Sequence, residues 1–235
     1  MADATVAEEE YLQTIFWLHE AGLPMTGANV ARAMQLSAPT VHEMVGRLER
    51  DGYITRGKDK SISFTEEGLE QAQLVVRRHR LIERFLTDVL GIPWDEVHEE
   101  AERLEHAMSP VLEARMLAAI GDAKTCPHGH PIEPGTRIEG VPLGDCEVGA
   151  KVTILRFENE AEDLLHLFKA EGLEPGHEGV VKTVDAEQIT FELAGREGSL
   201  TRSVAETVSV LADPSPPPRI ALPEQLVLGK ERYGR

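Results

Sequence analysis

Histidine and carboxylate recur at helical spacing in one short stretch of this chain: His98, Glu102, Glu105 and His106. At about 100° per residue, their side chains fall within an arc of about 100° on one helix. Val97, Ala101, Leu104 and Met108 fall on an adjacent arc, an apolar face able to pack into a core. Upstream, His79 and Glu83 are spaced i, i+4 and share one face of another helical stretch. Laid side by side, two such helices present three imidazoles and three carboxylates to one another. Carboxylates gathered away from water must hold a cation or else protonate. Imidazole and carboxylate without thiolate suit the harder divalent ions, Mn(II) and Fe(II), with Zn(II) or Co(II) as adventitious occupants. Surface charge accounts for any one of these residues alone; the combined pattern favours a metal.

Hydrolytic chemistry has little else to stand on. The H-E-x-x-H signature is absent, because His42-Glu43 and His98-Glu99 both lack the second histidine. Neither a G-x-S-x-G elbow nor a P-loop occurs. The chain therefore reads as a binding protein rather than an enzyme, with a metal-dependent hydrolase on the same ligands as the rival. Cys126 and Cys146 lie 20 positions apart and form neither a disulfide framework nor a thiolate knuckle. Cys126, His128 and His130 also invite a metal assignment, but they sit among eight Gly and Pro residues in Cys126–Gly144, a composition that marks a linker instead.

The elements that must position these residues follow from periodicity and punctuation. Tyr11, Leu12, Ile15, Phe16 and Leu18 predict a helix over 6–21, and Val30, Ala31 and Met34 a short one after Thr26. Ser37 is placed to cap a third helix, with Pro39 in its first turn, running to Asp51-Gly52. Tyr53–Arg56 and Ser61–Phe64 predict a hairpin. Helices follow over 66–90, from Asp95 to about 107, and over 111–120. Beyond the linker, β-like runs at 151–156, 179–184, 189–193 and 207–211, with a helix over 160–171, predict a small β-barrel. The domains expected are 1–65, 66–140, 141–212 and a Pro-rich tail over 213–235. The fold class is mainly α with small β.

Helix, helix, turn, helix, hairpin is the order of a winged helix-turn-helix, whose third helix enters the major groove of duplex DNA. Ser37, Pro39 and Thr40 stand at that helix start, suited to phosphates or base edges. His42 and Glu43 lie in its first two turns, Glu43 being an anion able to accept from a cytosine amine. Arg47 and Arg50, with Arg56, Lys58 and Lys60 in the wing, supply a local cationic cluster. Winged helices also mediate protein contacts, so a metal-independent interaction module is the alternative. Overall charge does not help: it is −17, and residues 1–65 carry 6 Lys+Arg against 9 Asp+Glu. No apolar stretch is long enough to cross a bilayer, and the start Met1-Ala2-Asp3-Ala4 lacks a secretory pattern, so the expected compartment is the cytoplasm and no membrane partner is expected.

Three segments, Leu36–Val41, His79–Leu86 and His98–His106, resemble the diphtheria-toxin-repressor family of metal-dependent regulators. The resemblance covers 6–140 well and the barrel more weakly; the barrel is similar to the SH3-like module of longer members and of ferrous-transport accessory proteins. It implies a homodimeric repressor on palindromic operators of metal-homeostasis genes. It also implies two sites: Glu10, Glu102, Glu105 and His106 in one, and His79, Glu83 and His98 in the other. Residues of the barrel sometimes complete the latter, and here Glu160 and Asp163 are the candidates. The iron-sensing branch has methionine and cysteine at the positions of Glu10 and Glu102; carboxylates there resemble the manganese-sensing branch, so Mn2+ is the cofactor expected, with Fe2+ as the alternative. Gln13 stands where that branch has a further carboxylate, which points to separate sites rather than a close binuclear centre.

Overall fold

The computed structural model describes residues 4–216, so the tail expected over 213–235 lies outside the described residues from 217 onward. Three helices, α1 (Val6–Glu20), α2 (Gly27–Ala33) and α3 (Ala38–Arg50), lead into the hairpin of β1 (Ile54–Arg56) and β2 (Ile62–Phe64). Leu12, Ile15, Val30, Val41, Leu48, Ile54 and Ile62 close a core between them. The Ser37 side chain caps α3 by accepting from Thr40 N, as its position before Ala38-Pro39 predicts. The strands pair antiparallel, Ile54 opposite Phe64.

A long helix, α4 (Glu66–Leu90), joins the two helical halves. Its first turns put Ala72 and Val76 into the winged-helix core, while Leu81, Ile82 and Leu86 belong to a second core. That second core is completed by Val97 and Ala101 of α5 (Val97–Leu104) and Met116 of α6 (Pro110–Ala119). The helix expected to run to about 107 ends sooner. Residues Glu105–Ala107 tighten into a 3-10 turn, and Met108 is extended ahead of Ser109, which caps α6. A 3-10 turn advances about 120° per residue rather than about 100°, so Glu105 and His106 swing away from the arc expected of one continuous helix. Leu104, expected on the apolar face, is 44% exposed.

The remaining part is a six-stranded antiparallel sheet in the order β3-β8-β4-β5-β6-β7. Its elements are β3 (Val141–Pro142), β4 (Lys151–Phe157), α7 (Glu162–Ala170), β5 (Glu178–Val184), β6 (Gln188–Leu193), β7 (Arg196–Thr201), α8 (Arg202–Ala205) and β8 (Val208–Asp213). Phe157, Leu165, Phe168, Ile189, Phe191 and Val210 fill its core. β3 and β7 were not expected. The first has two residues, and the second, Arg-Glu-Gly-Ser-Leu-Thr, has one large apolar side chain and so no alternation to read.

The linker-like run before the barrel forms no helix, but its first part, up to Ile132, is not solvated. Cys126, His128, His130 and Ile132 are buried. Arg84 donates to the carbonyls of Thr125 (2.8 Å) and Cys126 (2.9 Å), and Arg80 to that of Pro131 (2.9 Å). Trp94 stacks on Phe157 of β4, and Asp95 takes His166 (2.8 Å) and Lys169 of α7, so barrel and helices are clasped together. No helix among the described residues is long and apolar enough to cross a membrane.

Candidate metal centre

One turn apart on α4, His79 and Glu83 point into the seam between α4, α5 and the barrel, both fully buried. The i, i+4 spacing brings His79 Nε2 to 3.0 Å from Glu83 Oε1. His98, at the start of α5, brings Nδ1 to 3.2 Å from His79 Nε2 and 3.1 Å from Glu83 Oε1. Glu160, just ahead of α7, lies 3.1 Å from His98 Nδ1 through Oε2. These four residues offer ligand atoms that all lie within 4.8 Å of one another. Trp17 of α1 covers them, edge-on to His79 at 5.7 Å between ring centroids.

A second group shares Glu83. His128 Nδ1 stands 3.1 Å from Glu83 Oε1 and 3.6 Å from Glu160 Oε2, with Cys126 alongside. His130 Nε2 is 3.2 Å from Glu160 Oε1. These are the linker residues, and periodicity could not have found them because no element carries them. Gly129 is what lets both imidazoles turn inward. Its φ is +92°, and a Cβ there would sit 2.0 Å from the Leu155 carbonyl oxygen. The signal available in the sequence was the clustering of Cys126, His128 and His130 about a glycine, outweighed there by the Gly and Pro content of the run.

The other expected site is a cavity of about 250 Å³ lined by Glu10, Gln13, Thr14, Trp17, Glu102, Glu105 and His106 among others. Glu105 is buried and shared: its Oε2 accepts from His79 Nδ1 at 2.6 Å and from Gln13 Nε2 at 3.2 Å. Gln13 thus brings a donor where a carboxylate would add charge. His106 Nδ1 meets Glu9 Oε2 at 2.7 Å, a residue not singled out from the sequence, and its Nε2 is 3.4 Å from Glu105 Oε1. Glu10 is exposed at the rim, and Glu102 reaches back to His98 Nε2 at 3.5 Å. Asp163 is not brought in. It is exposed, and its carboxylate accepts from Leu164 N at 3.0 Å.

Charge in the buried group is balanced by protons. Burial alone would lower His79, but the carboxylates of Glu83 and Glu105 outweigh it and push the imidazole up to about 9. Burial likewise opposes, and carboxylates overcome, in His98 (Glu102, Glu160, Glu83) and in His128 (Glu83, Glu160), both raised well above the usual imidazole range. Glu83 is held far below the carboxylate range, against burial, by His128 and His79. Glu160 is lowered too, against both burial and Glu83, by His128 and its other histidine neighbours. His130 goes the other way, lowered chiefly by burial. Burial and the Glu83 charge push the Cys126 thiol up to about 11, so it is protonated at neutral pH. Glu83 Oε2 and His130 Nδ1 are buried without a hydrogen-bond partner among the described residues. Convergent imidazole, carboxylate and orphaned oxygen fit a divalent cation, which would replace the protons as the positive charge.

On the far side of the winged helix, Ser37, Pro39, Thr40, His42, Glu43 and Arg50 of the α3 region are exposed, as are Arg56, Lys58 and Lys60 of the hairpin. Two of the expected cations are already engaged. Arg47 bridges Glu8 at 2.9 Å and Asp51 at 3.5 Å, and Arg56 pairs with Glu49. Arg50, Lys58 and Lys60 have no ion-pair partner among the described residues.

Comparison with known proteins places these features in a lineage. Residues 3–62 match the family profile "Iron dependent repressor, N-terminal DNA binding domain", and residues 65–134 match "Iron dependent repressor, metal binding and dimerisation domain". The chain is 36% identical over 220 residues to the iron-dependent repressor IdeR of Mycobacterium tuberculosis, covering 86% of this chain and 95% of the relative. It is 42% identical over 144 residues to the diphtheria toxin repressor of Corynebacterium jeikeium, a match spanning 60% of each. A solved manganese-dependent transcriptional repressor in complex with manganese is similar at TM-score 0.78 and 30% identity, over 87% of this chain and 99% of that one.

Proposed function

This chain belongs to the iron-dependent repressor family that includes the diphtheria toxin repressor, and within that family we propose, from the donors of one cavity, that manganese is the ion to which it responds. It is a metal-dependent transcriptional repressor, not an enzyme. Our reading is of a cytoplasmic homodimer on palindromic operators of metal-homeostasis genes. The observation that carries manganese is the donor set of the cavity between α1 and the turn after α5. Glu10, Glu102, Glu105 and His106 offer oxygen and nitrogen, with the Met34 thioether the one sulfur in the lining, a set that suits a hard dication over softer, later ones.

When bound, a dication supplies positive charge that carboxylates on separate elements can share. Glu10 would hold it from α1, Glu102 from α5, and Glu105 and His106 from the turn that follows. Because α1 packs in one core with Val41 and Leu48 of α3, fixing α1 against α5 fixes the direction in which α3 is presented. Such a tie shifts a population only by its differential affinity for the two arrangements, and ligands on separate parts provide that difference. His79, Glu83, His98 and Glu160 would hold a second ion, drawing the barrel in through Glu160; Asp163 is left out of the set. Fe(II) is the second reading, favoured by the Cys126 thiol beside Glu83 and His128.

Gel-shift measurements on the chain's own upstream DNA with Mn(II), Fe(II) or chelator test the reading. Binding should vanish in chelator and return at lower free Mn(II) than Fe(II); equal binding in chelator overturns metal control. Glu102→Cys should move the preference toward softer ions, and an unchanged order removes Glu102 from selectivity.

A further inference from the structure

The contact between Glu9 and His106 crosses from the first helix of the winged-helix half to the turn after α5, 97 positions away in sequence. Two features set it apart from the ligand set. His106 lines the cavity of about 250 Å³ together with Glu10, Glu102 and Glu105, whereas Glu9 does not line it. Glu9 approaches the far side of the ring, with Oε2 at 2.7 Å from Nδ1, and leaves Nε2 as the nitrogen nearest the Glu105 carboxylate, at 3.4 Å. A carboxylate can only accept from neutral imidazole, so the Nδ1 it meets must carry the hydrogen. The lone pair available to a cation is then on Nε2.

We propose that Glu9 is a positioning residue for the metal site: by accepting His106 Nδ1–H it fixes the tautomer and ring orientation in which Nε2 faces the cavity. This rests on reading that cavity as a metal site. A carboxylate behind a ligating histidine locks its orientation and raises its basicity as a donor. Here the carboxylate belongs to α1 and the imidazole to the other half of the helical body. His106 is therefore a competent ligand only while α1 is docked, and cation binding through Nε2 in turn favours the docked helix. The coupling between the metal and the DNA-binding half thus runs through a hydrogen bond behind the ion as well as through Glu10 beside it.

Nitrogen-15 NMR of the imidazole rings in the metal-free full chain, at alkaline pH, reads the tautomer directly, with His106 assigned from its loss in His106→Gln. The wild type and Glu9→Gln should both show His106 protonated on Nδ1, because the glutamine amide oxygen can accept the same hydrogen. Glu9→Ala should show Nε2 protonation instead. Mn(II) uptake, followed by the loss of the free-ion EPR signal, should weaken on the order of 10- to 100-fold in Glu9→Ala and largely recover in Glu9→Gln. An Nε2-protonated His106 in the wild type, or wild-type Mn(II) affinity in Glu9→Ala, overturns the proposal. The expected tautomers together with no uptake of any dication by the wild type would overturn the metal reading beneath it, a failure the metal-free spectra keep separate.

Discussion

Protons and a divalent cation compete for the same lone pairs in the buried group, and the direction of each shift fixes how pH acts. His79 is pushed up to about 9 from 6.5, and His98 and His128 are raised as well. A raised histidine stabilises the folded chain fully below its unfolded value and ceases to do so above its folded one. The metal-free protein should therefore lose stability as pH climbs from about 6.5 through about 9, on the values for His79. Glu83 and Glu160 are lowered, so their contribution is present above the ordinary value of 4.5 and is lost as pH falls through their depressed values. At neutral pH a dication entering this group displaces protons from the histidines. Calorimetric titrations in buffers of different ionisation heat should accordingly give different apparent heats, with tighter binding at higher pH. Heats that do not depend on the buffer would contradict the protonated resting state.

Elements explain both what could be read in the sequence and what could not. α1, α3, α4 and the hairpin were legible because apolar spacing and local punctuation such as Ser37 mark them, and Thr65 and Gly91 cap α4. His79, Glu83 and His98 were legible because helical spacing alone puts ligands on a face. Glu105 was found for a partly wrong reason: the 3-10 turn, not a continuous helical arc, carries it to His79. His128 and His130 were lost because a segment with no period of its own takes its conformation from what it packs against. Gly129 is the test of that segment. Alanine there would hold a strained positive φ and press its Cβ on the Leu155 carbonyl, costing about 1–3 kcal/mol from the backbone conformation alone. Denaturant unfolding should show that loss, together with weaker uptake at the Glu83 site and little change at the Glu105–His106 cavity. The reading face makes its own prediction. With Arg47 and Arg56 committed to carboxylates, Arg50 should carry more of the phosphate contact. Arg50→Ala should flatten the dependence of log affinity on log salt by about 1, and Arg56→Ala by less; equal effects would refute the distinction.

At the scale of the whole molecule, a chain of net charge −17 must approach a polyanion, and one recognition helix whose two arginines are matched by two glutamates is poorly equipped to do so alone. A dimer presenting two recognition helices turns the second contact into an intramolecular one, a gain of about 10²–10⁴ when the spacing is right. For such pairing the helical half offers exposed apolar side chains. Leu90 is 61% exposed at the end of α4, Leu104 44% at the end of α5, and Val111 and Leu112 are 73% and 45% exposed in the first turn of α6. Glutamate at position 111 suits a helix N-terminus, where negative charge is favoured, so Val111→Glu should leave the protomer folded. The same charge buried in a pairing surface without a partner is strongly unfavourable. Sedimentation should find Val111→Glu largely monomeric, with operator affinity reduced by about two orders of magnitude or more and Mn(II) uptake per chain unchanged. A variant that stays dimeric would move the pairing surface elsewhere. A monomer that still bound its operator at wild-type affinity would mean that one winged helix suffices, and that metal acts within the protomer rather than by setting the distance between two.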